Sequence, residues 1–465
     1  MNMINVRRLA VMTFLGAGML SDISAQDFSL QADTLNEARL PAQWDLQSCI
    51  DYALEQNITI RKNRVTAEST QIDVKTAKAA LFPSLSFSTS QQVVNRPYQE
   101  TSSRVSGSEI ISSNSKTSYN GNYGLNASWT IYNGSKRLKT LKQERLNNQV
   151  AELDVATSEN MIKESIAQIY IQILYAAESV RVNENTLQVS IAQRDRGQEL
   201  LNAGSIAKSD FAQLEAQVST DRYQLVTAQA TLQDYKLQLK QLLELDGENE
   251  MNVYLPNLSD ENVLAPLPAK KDVYVSALAI RPEIEASKLN VEASELGIDI
   301  AKSSYFPTIS LSAGIGTNHT SGSDFTFGEQ VKNGWNNSIG LSVSVPIFNN
   351  RQTKSAVQKA RLQRETNMLS LLDEQKALYK TIESLWLDAN SAQQRYAAAN
   401  EKLRSTQISY DLISEQFNLG MRNTVELLTE KNNLLQAQQE QLQAKYMAIL
   451  NTQLLNFYQG DKLTL

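Results

Sequence analysis

Cys49 and His319 are the only cysteine and the only histidine in this chain, and that alone removes much of the chemistry it could carry. Zinc and haem sites draw on several such ligands, so neither is expected, and one cysteine cannot close a disulfide within the chain. A Ser–His catalytic site would have to use His319, which stands between Asn318 and Thr320 in a predicted surface loop, where a solvent-facing imidazole is the simpler reading. Two carboxylates invite more interest. Asp210 and Glu426 each follow a glycine, Gly204 and Gly420, by six residues. Glycine at such a place lets a helix end in a left-handed turn and the chain reverse. An acid just beyond it is, taken alone, a favourable charge at a helix N-terminus. The 44 basic residues are outnumbered by 50 acidic ones, for a net charge of -6, so the chain lacks the basic excess that nucleic-acid binding needs. No P-loop is present. No catalytic residue, cofactor or metal is assigned, and an enzyme is not expected.

The elements that position these residues are written twice. Ala53-Leu54 and the run from Ala77 through Leu81-Phe82-Pro83-Ser84 return as Ala277-Leu278 and Ala301 through Tyr305-Phe306-Pro307-Thr308, at an offset of 224. Leu125–Asn133 returns as Leu341–Asn349, and Asn202-Ala203-Gly204 as Asn418-Leu419-Gly420, at an offset of 216. Constant offsets on either side of one indel indicate an internal duplication. Residues 1–25 read as a secretory signal, with Arg7 and Arg8, an apolar run from Leu9 to Leu20, and small residues ending Ser24-Ala25. The expected organisation is a signal peptide at 1–25, a first repeat at 26–246, a Pro-containing acidic linker at 247–271 and a second repeat at 272–465.

Within each repeat the period turns from helical to alternating and back. Segments 45–80 and 272–303 read as helices that stop before an aromatic-Pro pair, since proline excludes the preceding residue from helix. Strict alternation follows over 84–95, 118–132, 308–319 and 335–348. Tyr119, Tyr123, Leu125, Ala127, Trp129 and Ile131 share one face, and Trp335, Ile339, Leu341, Val343, Val345 and Ile347 share another. The opposite faces carry Ser, Asn, Thr and Gly. None of the four strands contains Asp, Glu, Lys or Arg. A charge facing lipid at mid-bilayer costs roughly 2–4 kcal/mol, so the pattern fits membrane strands with polar residues toward water. Four strands cannot close a barrel, which needs about eight even when packed solid. Three chains supplying twelve strands form the smallest ring that leaves a pore. Segments 96–117 and 320–334 are expected as external loops.

After each strand pair comes a long helix without proline. Ile162, Ile166, Ile169, Ile173, Ala176 and Val180 form a heptad seam, as do Leu378, Ile382, Leu385, Ala389, Ala392 and Tyr396. From Ser135 to Ala203 the first long helix would measure about 100 Å. Helices 45–80 and 206–246, end to end, would match it.

Taken together, the duplicated halves, the Arg281-Pro282-Glu283 motif, the Phe-Pro entries at Phe82-Pro83 and Phe306-Pro307, the Tyr132-Asn133 and Phe348-Asn349 exits and the Asn-x-Gly turns resemble the TolC-type outer-membrane efflux protein family over essentially the whole chain after the signal. The resemblance implies an α+β membrane protein: a homotrimer whose shared 12-stranded β-barrel, four strands per chain, crosses the outer membrane, continued by a long α-helical barrel through the periplasm. It implies a passive exit duct for small molecules or proteins, contacting outer-membrane lipid and working with a periplasmic adaptor and a proton-driven or ATP-driven inner-membrane pump. It also places Ser209, Asp210, Phe417 and Arg422 in a network holding the periplasmic tip shut, with Arg422 as partner of Asp210, and Glu426 in an acidic ring facing the lumen. Phe417 lacks the hydroxyl usual at its position, and Thr429 replaces a second acid of the ring. A periplasmic or surface-attached helical structural protein without a pore is the alternative reading of the pattern.

Overall fold

The structure, a computed structural model, describes residues 41–98, 102–106, 109–113, 116–246, 251–256, 263–321 and 325–464. The expected signal peptide and the middle of the linker lie outside these residues. Two compact units are distinguished. In the smaller, Trp44 forms a parallel bridge to Val253, with hydrogen bonds from Trp44 N to Asn252 O and from Tyr254 N to Trp44 O, both 2.8 Å. Residues 45–251 and 255–464 form the larger.

The larger unit opens with α1 (Leu46–Gln56) and α2 (Ile58–Ala79), then β1 (Ser84–Asn95), a small hairpin of β2 (Ser102–Ser106) and β3 (Glu109–Ser113), and β4 (Thr117–Asn133). The helices α3 (Lys136–Asn202) and α4 (Lys208–Leu242) follow. Next come α5 (Lys270–Ile280), α6 (Pro282–Ser303), β5 (Thr308–Thr320), the short α7 (Phe327–Asn333), β6 (Asn336–Ser344), α8 (Gln352–Asn418) and α9 (Thr424–Gln459). Each segment predicted as one leading helix is thus two. Asn57 interrupts the first, because its side chain accepts from Thr59 N and Ile60 N and so starts α2 anew. Arg281 interrupts the second, followed by Pro282 at the first position of α6, where a missing N–H is tolerated. Arg281 is itself buried, bonded to Glu164 at 2.7 Å and stacked over Tyr458 at 3.6 Å, so the break is stapled to α3 and to the end of α9.

The four long strands form one antiparallel sheet in the order β1-β4-β5-β6. Cross-strand pairing gathers Leu85, Phe87, Leu125, Ala127, Trp129, Leu311, Ala313, Ile315, Ile339, Leu341 and Val343 on one face. The other face is a hydroxyl and amide ladder in which Ser86, Asn126, Gly314 and Ser338 lie side by side. Two details depart from simple alternation. A register shift between Thr130 and Tyr132 leaves Ile131 unpaired and sets Tyr132 opposite Ile309, so Tyr132 takes the place expected of Ile131. β6 stops at Ser344, because Pro346 has no N–H to donate and constrains Val345; Val345 and Ile347 therefore lie beyond the strand. The expected loops carry structure of their own, β2–β3 in the first and α7 in the second.

α3 and α8 each run 67 residues, about 100 Å. Ile166, Ile173 and Ala176 are buried on the expected seam of α3, but so are Ala167, Tyr170, Ile171 and Leu174. The broader face follows from its neighbours: α3 packs against α2, α4, α6 and α9. A core of Val273, Ala277, Ile284, Leu378, Ile382 and Leu455 joins α5, α6, α8 and α9. No described helix is long and apolar enough to cross a membrane.

Candidate functional site: the paired helical turns and the seam behind them

The chain reverses at two turns of the same design. Ala203, Gly204 and Ser205 donate to Glu199 O, Leu201 O and Leu200 O at 3.0, 2.9 and 2.8 Å. Leu419, Gly420 and Met421 donate to Glu415 O, Phe417 O and Gln416 O at 3.1, 2.9 and 2.8 Å. Gly204 and Gly420 have φ of +72° and +73°, and an added Cβ would meet nothing within 4 Å. Glycine is thus required by the left-handed backbone and not by crowding.

Beyond each turn the acid serves its own helix. The Asp210 carboxylate accepts the Ala207 N–H at 3.3 Å. Glu426 shares a capping box with Asn423, accepting from Asn423 N at 3.2 Å and donating its own N–H to Asn423 Oδ1 at 2.9 Å. Arg422 bonds Glu426 Oε1 at 2.9 Å and Gln416 Oε1 at 2.8 Å. Within one chain, then, Arg422 neutralises Glu426 and does not meet Asp210, while Ser209 is exposed. Such an exposed i,i+4 pair contributes about 0.3–0.5 kcal/mol.

Phe417 is buried with Leu214 and Leu427 in a knot that joins both hairpins, packed on by Leu200, Tyr410, Ile413 and Leu428. The aromatic hydroxyl missing at Phe417 occurs one heptad earlier. Tyr410 accepts a hydrogen bond from Gln193 Nε2 at 2.8 Å, tying α8 to α3, and burial pushes its phenol above the usual range.

Behind the knot is a cluster that sequence reasoning missed. Lys431 of α9 is bonded to Asp221 of α4 and to Ser190 of α3, and Ser190 also donates to Asp221. All three side chains are buried, with relative exposures of 3%, 1% and 2%. Gln217 Nε2 completes the shell of Asp221 at 2.9 Å. Burial draws the Lys431 ammonium below the ordinary lysine value, opposed by its bond to Asp221.

At the other end of the helices, Phe82 N and Phe306 N donate to Ala79 O and Ser303 O at 3.0 and 3.1 Å, closing the last turns before Pro83 and Pro307 release the chain into β1 and β5. Trp129 Nε1 donates to Leu81 O at 2.9 Å, fixing the first of these junctions to β4. His319 is not in a surface loop. It lies inside β5 opposite Gly121, with ring centroids 5.3, 5.9 and 5.0 Å from Tyr119, Tyr123 and Phe327. No group of residues suited to holding a metal occurs among the described residues.

A charge-free sheet, four long helices and paired hairpin turns make a specific combination, and a family model described as outer membrane efflux protein matches residues 49–244 and 273–460. The chain belongs to the outer membrane efflux protein family. Similar proteins include the outer membrane efflux protein BepC of Brucella suis, 25% identical over 294 residues, 63% of this chain and 61% of that one. The outer membrane protein TolC of Escherichia coli is 25% identical over 341 residues, 70% of this chain and 66% of that one. The chain thus spans about three fifths to two thirds of the length of these curated relatives. The fold is shared with CusC, at a TM-score of 0.76 and 19% identity over 90% of this chain and 92% of that one. VceC from Vibrio cholerae gives 0.74 and 16% over 90% and 97%. As an outer membrane efflux protein the chain belongs to the outer membrane, with its helical part in the periplasm, and its family is one of channels, not enzymes.

Proposed function

We propose that three copies of this chain form a passive exit duct through the outer membrane and periplasm. The observation that carries the reading is the sheet: four strands, apolar on one face and polar on the other, with the outer edges of β1 and β6 unpaired among the described residues. Joining β6 of one copy to β1 of the next satisfies both edges, turns the Ser/Asn ladder toward water, and closes twelve strands into a barrel. The helices support the same arrangement. α2 exposes Ile58, Val65 and Ile72 at heptad spacing, and α8 exposes Leu362, Leu369, Leu372 and Tyr379. Two such stripes suit packing across a subunit boundary.

The duplication explains why each chain contributes two strand pairs and two hairpins, and the first 25 residues direct export. The turns at Gly204 and Gly420 form the tip of the duct. In the trimer Ser209, Asp210, Phe417 and Arg422 hold that tip, and three Glu426 carboxylates, each tempered by Arg422, face the lumen. A periplasmic adaptor and an inner-membrane pump supply cargo and energy. BepC and TolC carry names of the same kind, which supports the reading. The test is to purify the protein from outer membranes in mild detergent, measure its mass and record conductance in planar bilayers. A heat-sensitive trimer that conducts is expected; a monomer, or a trimer without conductance, overturns the proposal.

A further inference from the structure

The buried ionic triad has no part in the duct as proposed so far, and its placement is unusual. α3 packs along α4, and α8 along α9, whereas α4 meets α9 over only a small region, which contains Asp221 and Lys431. At the 216-residue offset between the repeats, the counterparts of Ser190 and Asp221 are Thr406, bonded to its own helix at Lys402 O, and the buried Ala437. The counterpart of Lys431 is Glu215, which is exposed. The pseudo-equivalent set of positions thus holds no buried charge, so packing one hairpin on the other does not by itself require an ion pair.

A buried ion pair is a weak source of stability, because desolvation offsets much of the attraction, yet removing one partner is strongly unfavourable. The Lys431 ammonium is therefore tolerated between α3, α4 and α9 only while Asp221 and Ser190 face it. Without Asp221 the ammonium reaches water most directly by displacement of α9 from the other two helices. Lys431 lies on the turn side of α9, seven residues after its first residue. Displacement there would carry the Gly420 turn with it.

We propose that Ser190, Asp221 and Lys431 form a charge clasp that holds the two helical hairpins of one chain together behind the tip, and that the clasp must part for the tip to open. This rests on the reading of the turns as the closed end of a duct. Asp221→Asn strands the ammonium, and an unpaired buried charge of this kind shifts a two-state balance by roughly a hundredfold or more. Resting conductance per trimer in planar bilayers should rise at least about tenfold, and hydrogen exchange across residues 424–435 should accelerate. The double variant Asp221→Leu/Lys431→Met refills the seam with apolar groups, and should return both readouts to within about twofold of wild type. Unchanged exchange in Asp221→Asn overturns the clasp; faster exchange with unchanged conductance overturns its coupling to opening. If the double variant behaves like Asp221→Asn, the effect is lost packing and not charge. Should Asp221→Asn fail to assemble, Lys431→Gln carries the same comparison with a smaller rise, since Asp221 keeps Ser190 and Gln217 as donors. A wild-type trimer that does not conduct defeats the duct reading by itself, and exchange alone then decides the clasp.

Discussion

Leu125 is the middle residue of β4, with Phe87 of β1 and Ile315 of β5 directly across from it on the same face. It is 38% exposed in a single chain, and the next residue, Asn126, points to the opposite face, its amide 3.4 Å from Ser88 Oγ. If the apolar face meets lipid, Leu125→Arg places a guanidinium near mid-bilayer at a cost of about 2–4 kcal/mol, or roughly a 30- to 1000-fold penalty on insertion of each strand. In a trimer that cost is incurred three times in one barrel. Asn126→Arg gives up a weak hydrogen bond worth about 0.5–1.5 kcal/mol and otherwise puts the charge in water. Heat-modifiable oligomer in outer-membrane fractions, quantified against total protein, separates the two. Leu125→Arg should nearly abolish it, while Asn126→Arg should stay within about twofold of wild type. Equal tolerance at the two positions would refute the lipid-facing assignment, and the opposite order would put the lumen on the other face.

Arg422→Ser frees Glu426 from its internal partner, so the reversal potential in a salt gradient should move toward greater cation preference, whereas Glu426→Gln should reduce that preference; identical potentials in both variants would remove Glu426 from the lumen. Gly204→Ala and Gly420→Ala should each lower thermal stability by about 1–2 kcal/mol through left-handed strain alone. Gly134→Ala should cost more, because its φ is +66° and a Cβ would also fall 2.8 Å from Ser303 O; equal melting shifts would contradict the crowding argument. Burial, with Asp45 nearby, pushes the Cys49 thiol up to about 12, leaving a thiolate fraction near 10⁻⁴ at pH 8. Maleimide at pH 8 should therefore label the native protein slowly and the denatured protein fast; rapid labelling of the native protein would show that α1 is not packed as described.

How much of this was readable in advance depended on whether the deciding interaction was local. The charge-free strands were readable because alternation repeats one constraint, an apolar face opposite a Ser/Asn face, over each strand. The turns were readable for a similar reason, since a left-handed residue selects glycine whatever surrounds it. The break at Asn57 was not, because asparagine in a helical stretch looks ordinary until its side chain is seen to accept from Thr59 and Ile60. The end of β6 was available in Pro346, but the apolar rhythm of Val345 and Ile347 outweighed the missing N–H. Within one chain, Arg422, just before the N-cap of α9, bonds Glu426 four residues on, a short-range contact that the spacing allows. The triad is the instructive failure. Its members are separated by up to 241 residues, and each looks like surface when taken alone. Yet Lys431 continues the run Leu427 to Leu434 by steps of four and three, Asp221 extends Leu214 and Val218 by the same steps, and Ser190 follows Leu187 by three, all at buried positions. An acid and a base on core positions of neighbouring helices each demand an opposite charge, since neither could remain ionised there alone. That demand was already present in the heptads, because Asp221 and Lys431 both continue them at buried positions on neighbouring helices.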